Sequence, residues 1–499
     1  MPMEKDYDVA VIGGGPAGYV CALRSAQLGK RVALIEKDQV GGTCLNRGCV
    51  PMKAFLSVAK TMRDARRASR SGLDIQFSLN FDKLVSWTRY VVERSRRGIE
   101  SLLRSRGVEL VKGEARFSSP GTLEILPGGG TVRAGSLVIA TGSRPYDLPD
   151  VRFDSEGVIS SDDIFSLRSL PKSICIVGGG VIGVEMATAL AEMGSKVTVV
   201  EIMDQLLPGW CPDVVKPVCD SLGKLGVDMR IGRRIVKLER VGVGGENVAE
   251  KGMEMGRGSE GKSGCGSGTN DSSGYVATLS DGSLVESDYV LVAVGRMPNT
   301  DRLGLEAVGV ELDRKGFVKV NGRLETSVPG IYAAGDVVGV PYLAHRASDH
   351  GYQIAEIIAG RREKFEQLPV PSVVYSDPEI AVVGVDEAEA AKRGVGAVAG
   401  TFQLAALARA MTINRPEGFV RVVAEKSSRK IIGAQVVGAN ASELVGACAL
   451  AVQSGMRLEE LASSVMPHPT LVEALMECAK TALGEPLHGS AGERGTVMR

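Results

Sequence analysis

The chain has 499 residues, enough for two to four domains, and its 44% hydrophobic content is ordinary for packed globular protein. Basic and acidic residues balance at 59 each, so no positive field favours nucleic acid or an anionic membrane, and 4% aromatic residues argue against a base-stacking surface. No run of about 18 apolar residues predicts a membrane-spanning helix, and the charged start Met1-Pro2-Met3-Glu4-Lys5-Asp6 lacks the pattern of a secretory signal. A cytoplasmic location is expected, where scattered cysteines serve as small hydrophobes; of the nine, only Cys44 and Cys49 form a close pair.

In chain order, residues 7–12 read as a buried strand. Gly13-Gly14-Gly15-Pro16-Ala17-Gly18 follows, then a helix to about Leu28 and a strand from Arg31 to Ile35 that ends at Glu36. The same order recurs from Ile174. A strand to Val177 leads into Gly178-Gly179-Gly180-Val181-Ile182-Gly183, a helix to about Met193, and a strand from Val197 to Val200 that ends at Glu201. In both copies the acidic residue lies at the same interval after the first glycine. One Gly-x-Gly-x-x-Gly is weak in a chain with 63 glycines. Two copies, each between a strand and a helix and each followed by that carboxylate, predict two dinucleotide-binding βαβ units.

Between the copies, about Ala54 to Arg106 reads as helical and Arg-rich, with a solvated face expected. Residues 123–139 read as a hairpin leading into Leu137-Val138-Ile139-Ala140-Thr141-Gly142, and Tyr289 to Gly295 repeats that pattern. A Gly/Ser-rich stretch, about 242–274, is expected to be a flexible insertion without a catalytic role, with Cys265 incidental. From Pro369 onward strand-like runs at 372–375, 418–423 and 431–437 alternate with helical ones at 441–453 and 471–483. This predicts an α+β domain for dimerisation or a lid. The fold class is α/β, with two Rossmann-like nucleotide-binding domains and a C-terminal α+β domain. The expected boundaries are 1–150, 151–296, a return to the first domain over 297–368, 369–483, and a flexible tail at 484–499.

The chemistry centres on Gly41-Gly42-Thr43-Cys44-Leu45-Asn46-Arg47-Gly48-Cys49-Val50-Pro51-Met52-Lys53. Cysteines at i and i+5 around a glycine can meet across one distorted helical turn and cycle between disulfide and dithiol. The thiolate is the reactive form, and a free thiol with a pKa of about 8.5 is only about 3% ionised at pH 7. Lowering that pKa to 7 takes about 2 kcal/mol, close to the most a helix N-terminus supplies. Pro51 suits a first helical turn. Two structural cysteines or half a metal site are the plainer readings; no further Cys or His stands nearby at ligand spacing, so no metal is expected. A second constellation is His468-Pro469-Thr470-Leu471-Val472-Glu473. A lone histidine is more often structural, but a carboxylate five residues on can orient this one as a general base. His345 and His350 read as structural.

Over about residues 6–483, apart from the Gly-rich insertion, these motifs resemble those of the class I pyridine-nucleotide disulfide oxidoreductases. The resemblance implies FAD at Gly13, Gly15, Gly18 and Glu36, with Gly42, Thr43, Lys53, Thr141, Gly142, Asp336 and Ala344 around it, Asp336 against the ribityl chain. It implies NAD at Gly178, Gly180, Gly183, Glu201 and Gly295. Cys49 would be the thiolate against the flavin and Cys44 the interchange thiol, with a Lys53–Glu185 ion pair near the flavin N5. His468, oriented by Glu473, would act from the neighbouring subunit of an obligate homodimer.

Glu201 suits ribose hydroxyls and repels a 2′-phosphate, and residues 202–205 contain no arginine, so NAD is favoured over NADP. Cys478 stands alone near the C-terminus, unlike the cysteine pair of mercuric ion reductases. Leu45, the run Tyr375-Ser376-Asp377-Pro378-Glu379-Ile380 and His468-Pro469-Thr470-Leu471 resemble the family branch that oxidises dihydrolipoamide. The expected reaction is oxidation of protein-bound dihydrolipoamide with reduction of NAD⁺. The lipoyl group would arrive on a partner from a 2-oxo acid dehydrogenase or glycine cleavage system. An NAD(P)H-dependent reductase of another disulfide is the alternative; a non-catalytic subunit is disfavoured because both cysteines, Lys53, Glu185, His468 and Glu473 are all present. Two departures adjoin the redox pair: Arg47 replaces a small apolar residue, commonly Val, and Met52 replaces Ser. Both are expected to bear on potential or substrate preference.

Overall fold

The computed structural model describes residues 4–154, 156–242 and 274–488. The stretch read as a flexible insertion, Cys265 included, lies outside the described residues apart from its ends, as does the tail beyond residue 488.

The first nucleotide unit is a parallel sheet. Strands Glu109–Lys112, Val32–Glu36, Glu4–Ile12, Thr131–Ile139 and Ile331–Ala333 lie side by side in that order. Parallel strands covered on both faces need continuous apolar runs. Val9 to Ile12 and Val32 to Ile35 meet that need and are buried throughout. The expected hairpin forms between Thr122–Leu126 and the start of Thr131–Ile139, but that second arm is also a central strand of the sheet. The outermost strand, Ile331–Ala333, returns from far along the chain and carries Gly335 and Asp336 to this sheet.

The second unit repeats the plan, with parallel strands Asp228–Ile231, Lys196–Glu201, Ser173–Val177, Tyr289–Val292 and Val158–Ser160. An antiparallel sheet of Ile235–Val241, Gly274–Leu279 and Leu284–Ser287 lies against it. The two fingerprints fold alike. Gly13 and Gly178 take positive φ, 102° and 107°. The helix that follows presses down on each loop: a Cβ on Gly18 would sit 1.8 Å from the Gly13 carbonyl oxygen, and one on Gly183 would sit 1.9 Å from that of Gly178. These helices are α1 (Pro16–Gln27), with Pro16 in its first turn, and, in the second unit, Val181–Met193.

After a short helix α2 (Gly42–Arg47), the long helices α3 (Cys49–Ala68) and α4 (Phe81–Ser105) leave the first unit. Asn80 caps α4 by accepting from the Lys83 N–H. Helix α3 buries Met52, Phe55, Leu56 and Ala59 in one core with Val184 and Ala187 of the second unit and Val374, Ile380 and Phe419 of the C-terminal part. Its arginine-rich end departs from the solvated face expected. Arg63 is buried beside Asp377 and Glu192, Arg66 pairs with Glu192 at 2.5 Å, and Arg67 pairs with Asp377 at 3.1 Å. The spacing of charges along one helix does not reveal carboxylates that other elements bring to it.

The C-terminal part is an antiparallel sheet of Ser372–Val374, Glu379–Gly384, Ile431–Gly438, Phe419–Glu425 and Ala397–Gln403. Helices Ala441–Gln453 and Glu473–Leu483 share its core. Among the described residues no helix is long and apolar enough to cross a membrane.

The substitution Gly18→Ala drives a carbon into a backbone oxygen and is expected to cost about 1–3 kcal/mol and to reduce the flavin retained on purification. In contrast, Gly98→Ala in α4, where nothing lies within 4 Å of the added carbon, is expected to stabilise by up to about 1 kcal/mol. Thermal denaturation of both variants, with flavin content measured alongside, checks the pair.

Candidate active site

The two cysteines sit on either side of one helix break. Cys44 lies within α2, Gly48 interrupts the backbone, and Cys49 is the first residue of α3. A side chain at Gly48 would bring a carbon within 3.0 Å of the Thr43 carbonyl oxygen, so the turn closes best on glycine. Asn46 staples the turn by donating to the Gly42 and Val40 carbonyl oxygens at 2.9 and 3.1 Å. Both cysteines are free thiols, and they hydrogen-bond to each other. That bond from Cys44 outweighs the cost of burial and, with the Lys53 ammonium, holds the Cys49 pKa down at about 7. The same bond and burial push Cys44 up. The two thiols are thereby made unequal, with Cys49 the more readily ionised. Its place at the helix start agrees with the sequence expectation.

One turn further along α3, Lys53 donates to both carboxylate oxygens of Glu185, at 2.8 and 3.0 Å. Glu185 is 4% exposed and also accepts from the Tyr375 N–H at 3.1 Å. The Lys53 ammonium lies 4.4 Å from the centre of the Tyr375 ring. Burial works against the lysine's charge, but Glu185 more than offsets it, and the Lys53 pKa lies above its ordinary value. The run around Tyr375 was noted in the sequence only as a resemblance, and its contact with Lys53 and Glu185 is a finding of the fold.

A continuous cleft of about 1860 Å³ joins these residues to both glycine loops. Gly13, Gly15, Glu36, Gly42, Thr43, Thr141, Gly142, Asp336 and Ala344 line its first arm. Gly178, Gly180, Glu201 and Gly295 line the second, and Cys44, Cys49, Lys53 and Glu185 lie at the junction. Gly18 and Gly183 lie beneath the loops. The N-terminal turns of α1 and Val181–Met193 offer backbone N–H groups to a pyrophosphate. Glu36 accepts from the Gly14 and Asp38 N–H groups, both at 2.7 Å. Glu201 accepts from those of Gly179 and Met203, at 2.6 and 2.7 Å. Each carboxylate is thus fixed at the end of its strand, and each loop has room for backbone approach. The donor sets fit FAD in the first arm and NAD in the second. Asp336 accepts from the Ser143 hydroxyl at 2.5 Å, and Thr141 is held to Asn299 by two hydrogen bonds.

The structure also brings Arg233 and Arg234 to the Glu201 end of the cleft, from a segment some thirty residues away. Arg233 is engaged by Asp281 at 2.6 Å. Reading residues 202–205 alone did not find them. Met52 is buried in the core with Phe55, a flexible filler for an irregular space. Of the histidines, His350 is buried, accepts from the Gly335 N–H at 3.3 Å and is pushed down to about 4 by burial, which fits a structural role. His345 meets the Pro371 carbonyl oxygen at 2.8 Å.

His468 and Glu473 do not line the cleft. They hold each other, Nδ1 to Oε1 at 2.8 Å, while Glu473 also accepts from the Thr470 N–H at 2.7 Å. Burial opposes the Glu473 charge, but these two bonds more than offset it and draw its pKa below the usual range. The imidazole is 72% exposed, its Nε2 free of this carboxylate. Among the described residues no group of three or more His, Cys, Asp or Glu side chains is placed to hold a metal.

Two dinucleotide cradles meeting at a thiol pair define a thiol-linked, nucleotide-dependent oxidoreductase. The family model described as pyridine nucleotide-disulphide oxidoreductase matches residues 7–351, and that of the family's dimerisation domain matches residues 370–479. The chain belongs to this family. It is 39% identical to dihydrolipoyl dehydrogenase 2 of Haloarcula marismortui over 96% of this chain and 98% of that one. It is 38% identical to dihydrolipoyl dehydrogenase of Bacillus subtilis over 98% of both. Among solved structures it is similar to LpdA from Mycobacterium tuberculosis, with a TM-score of 0.84 and 30% identity over 95% of this chain and 99% of that one. The dimerisation-domain match supports a homodimer.

In the reduced protein, alkylation of Cys49 is expected to accelerate through pH 7, because the thiolate forms above its pKa. In Lys53→Met the lowering influence of the ammonium is gone, so the same transition moves to higher pH. Alkylation rates measured against pH, with Cys49 followed separately from Cys44 by peptide mass, check the direction.

Proposed function

We propose that the chain is a dihydrolipoamide dehydrogenase, oxidising protein-bound dihydrolipoamide to lipoamide and reducing NAD⁺ to NADH. The observation that carries this reading is the unequal Cys44–Cys49 pair, with Lys53 and Glu185 beside it, at the junction of the two nucleotide arms. The near full-length similarity to enzymes named dihydrolipoyl dehydrogenase supports the substrate. FAD held along the first arm, by the Gly13–Gly18 loop, Glu36 and Asp336, would supply two-electron transfer between the dithiol centre and NAD⁺, chemistry no side chain here supplies.

The chain's own residues do the rest. In the oxidised enzyme Cys44 and Cys49 are joined as a disulfide. His468 of the second copy, held by Glu473, takes a proton from one substrate thiol. The resulting thiolate attacks the Cys44 sulfur, the Cys44–Cys49 bond breaks, and Cys49 leaves as a thiolate. The Lys53 ammonium stabilises that leaving group. His468 passes the first proton to Cys44 as it leaves and takes the proton of the second substrate thiol, whose sulfur attacks the substrate sulfur bonded to Cys44 and closes the lipoyl ring; one proton ends on Cys44, one on His468, and Cys49 stays a thiolate. Two electrons have moved from the substrate dithiol to the protein pair. Glu201 places a negative charge where NADP would carry its extra phosphate, which supports NAD. The lipoyl group is delivered by a lipoyl-bearing protein of a 2-oxo acid dehydrogenase or glycine cleavage system. The cytoplasm is the compartment inferred, in keeping with the free thiols of the described residues.

An anaerobic mixture of the flavin-loaded homodimer, dihydrolipoamide and either NAD⁺ or NADP⁺ tests the reading. Rapid formation of NADH with little NADPH is expected; no dithiol-linked turnover sinks the proposal. His468→Gln is expected to lower dithiol turnover by about 10²–10⁴-fold, while NADH oxidation by a quinone, which bypasses the thiols, persists.

A further inference from the structure

Arg47, one of the two departures beside the redox pair, is partly exposed but engaged by carboxylates on two sides. It is the last residue of α2 and forms an ion pair with Asp38, two residues beyond Glu36. Its Nε also lies 4.0 Å from Asp162, in the segment that follows the edge strand of the second unit. Asp162 in turn lies 3.8 Å from Arg296. Both separations are ion-pair distances too long for hydrogen bonds, and the buried Oδ1 of Asp162 has no hydrogen-bond partner. Arg296 is largely buried and donates to the Ser143 hydroxyl and carbonyl oxygens, each at 2.8 Å. Ser143 donates to Asp336. Charges alternate along this chain of groups, which runs along the wall of the cleft from Asp38 to Asp336.

A carboxylate placed between two guanidinium groups and hydrogen-bonded to neither depends on both for neutralisation. Removing Arg47 leaves Asp162 under-compensated beside Arg296, and the disturbance passes through Ser143 to Asp336. We propose that Arg47 is a positioning residue: through Asp162, Arg296 and Ser143 it couples the turn carrying Cys44 to Asp336, so that the redox pair and the flavin-facing carboxylate are held as one unit. This rests on the reading of the first arm as the FAD site. It does not rest on the identity of the dithiol.

The test is a double-mutant cycle read by FAD affinity and by the spectrum of the holoenzyme. Arg47→Val and Asp162→Asn are each expected to weaken FAD binding about three- to fivefold, in the range for partly exposed ion pairs. The double variant should be no weaker than the worse single. The long-wavelength charge-transfer absorbance between the Cys49 thiolate and the flavin in reduced enzyme should fall in Arg47→Val and recover in Arg47→Lys, which keeps the charge. Multiplicative losses in the double variant, or an unchanged spectrum and affinity in Arg47→Val, overturn the proposal. If the unaltered enzyme binds FAD but does not oxidise dihydrolipoamide, the functional reading fails and the cycle still decides the coupling.

Discussion

The Glu185 carboxylate is buried, and a buried carboxylate without a counter-charge costs several kcal/mol. Its neutralisation orders the site. The counter-charge, Lys53, belongs to α3, while Glu185 belongs to a helix of the second nucleotide unit and Tyr375, whose N–H it also accepts, belongs to the C-terminal part. Three parts of the molecule are therefore tied at one carboxylate. Lys53 stands about one helical turn after Cys49, so fixing the ammonium also fixes the thiol. The same ammonium helps hold Cys49 as a thiolate. A single ion pair thus places Cys49 between the two nucleotide arms, and its ammonium adds to the Cys44 contact in lowering the Cys49 pKa.

The far end of α3 repeats the device. Arg63 and Arg66 reach Glu192 of the second unit, and Arg63 and Arg67 reach Asp377 of the C-terminal part, where Arg415 and Glu417 complete the cluster. Between the two ends, Phe55, Leu56 and Ala59 lie in a core common to all three parts. Apolar packing supplies most of the attraction, but it is non-directional. The ionic ends choose one placement of the helix out of many that would bury the same area, because a slip by one turn would strand several charges. Helix α3 is in this sense a strut whose position is specified electrostatically and stabilised hydrophobically.

What was legible in the sequence follows from how local each constraint is. The glycine loops, the strands before them and the carboxylates after them are set by backbone geometry within a few tens of residues, and they fold as read. The cysteine turn was legible because a glycine between two cysteines has a local reason. The His468–Glu473 contact spans five residues and was legible for the same reason. Long-range contacts were not. The strands Glu379–Gly384 and Ala397–Gln403 went unread, since Gly and Ala interrupt their apolar runs and the packing of neighbouring strands and helices decides them. The Arg63 cluster, the approach of Arg233 and Arg234 to Glu201, and the chain from Arg47 to Asp336 all join elements that only the topology brings together. The Lys53–Glu185 pair, 132 residues apart, entered the reading through family resemblance, because no periodicity or spacing points to it.

The placement of His468 gives the arrangement its last requirement. Glu473 begins the final helix, and its two hydrogen bonds hold the ring and the preceding turn in one orientation. Neither residue lines this chain's own cleft, and the ring is exposed. In the proposed mechanism a base so held finds its substrate only if another surface comes to it, and His468 lies within the stretch matched by the dimerisation-domain model. Rigidity matters because a proton must pass to Nε2 at hydrogen-bond distance, and a mobile side chain would spend most of its time elsewhere. The division is then a physical one. The residues assigned to electron transfer line the cleft of one chain, with Lys53 and Glu185 at its junction. In the proposed mechanism the group that handles the substrate's proton is held outside it, within the stretch matched by the dimerisation-domain model, so electron transfer would be complete within one subunit while oxidation of the dithiol would be a property of the pair.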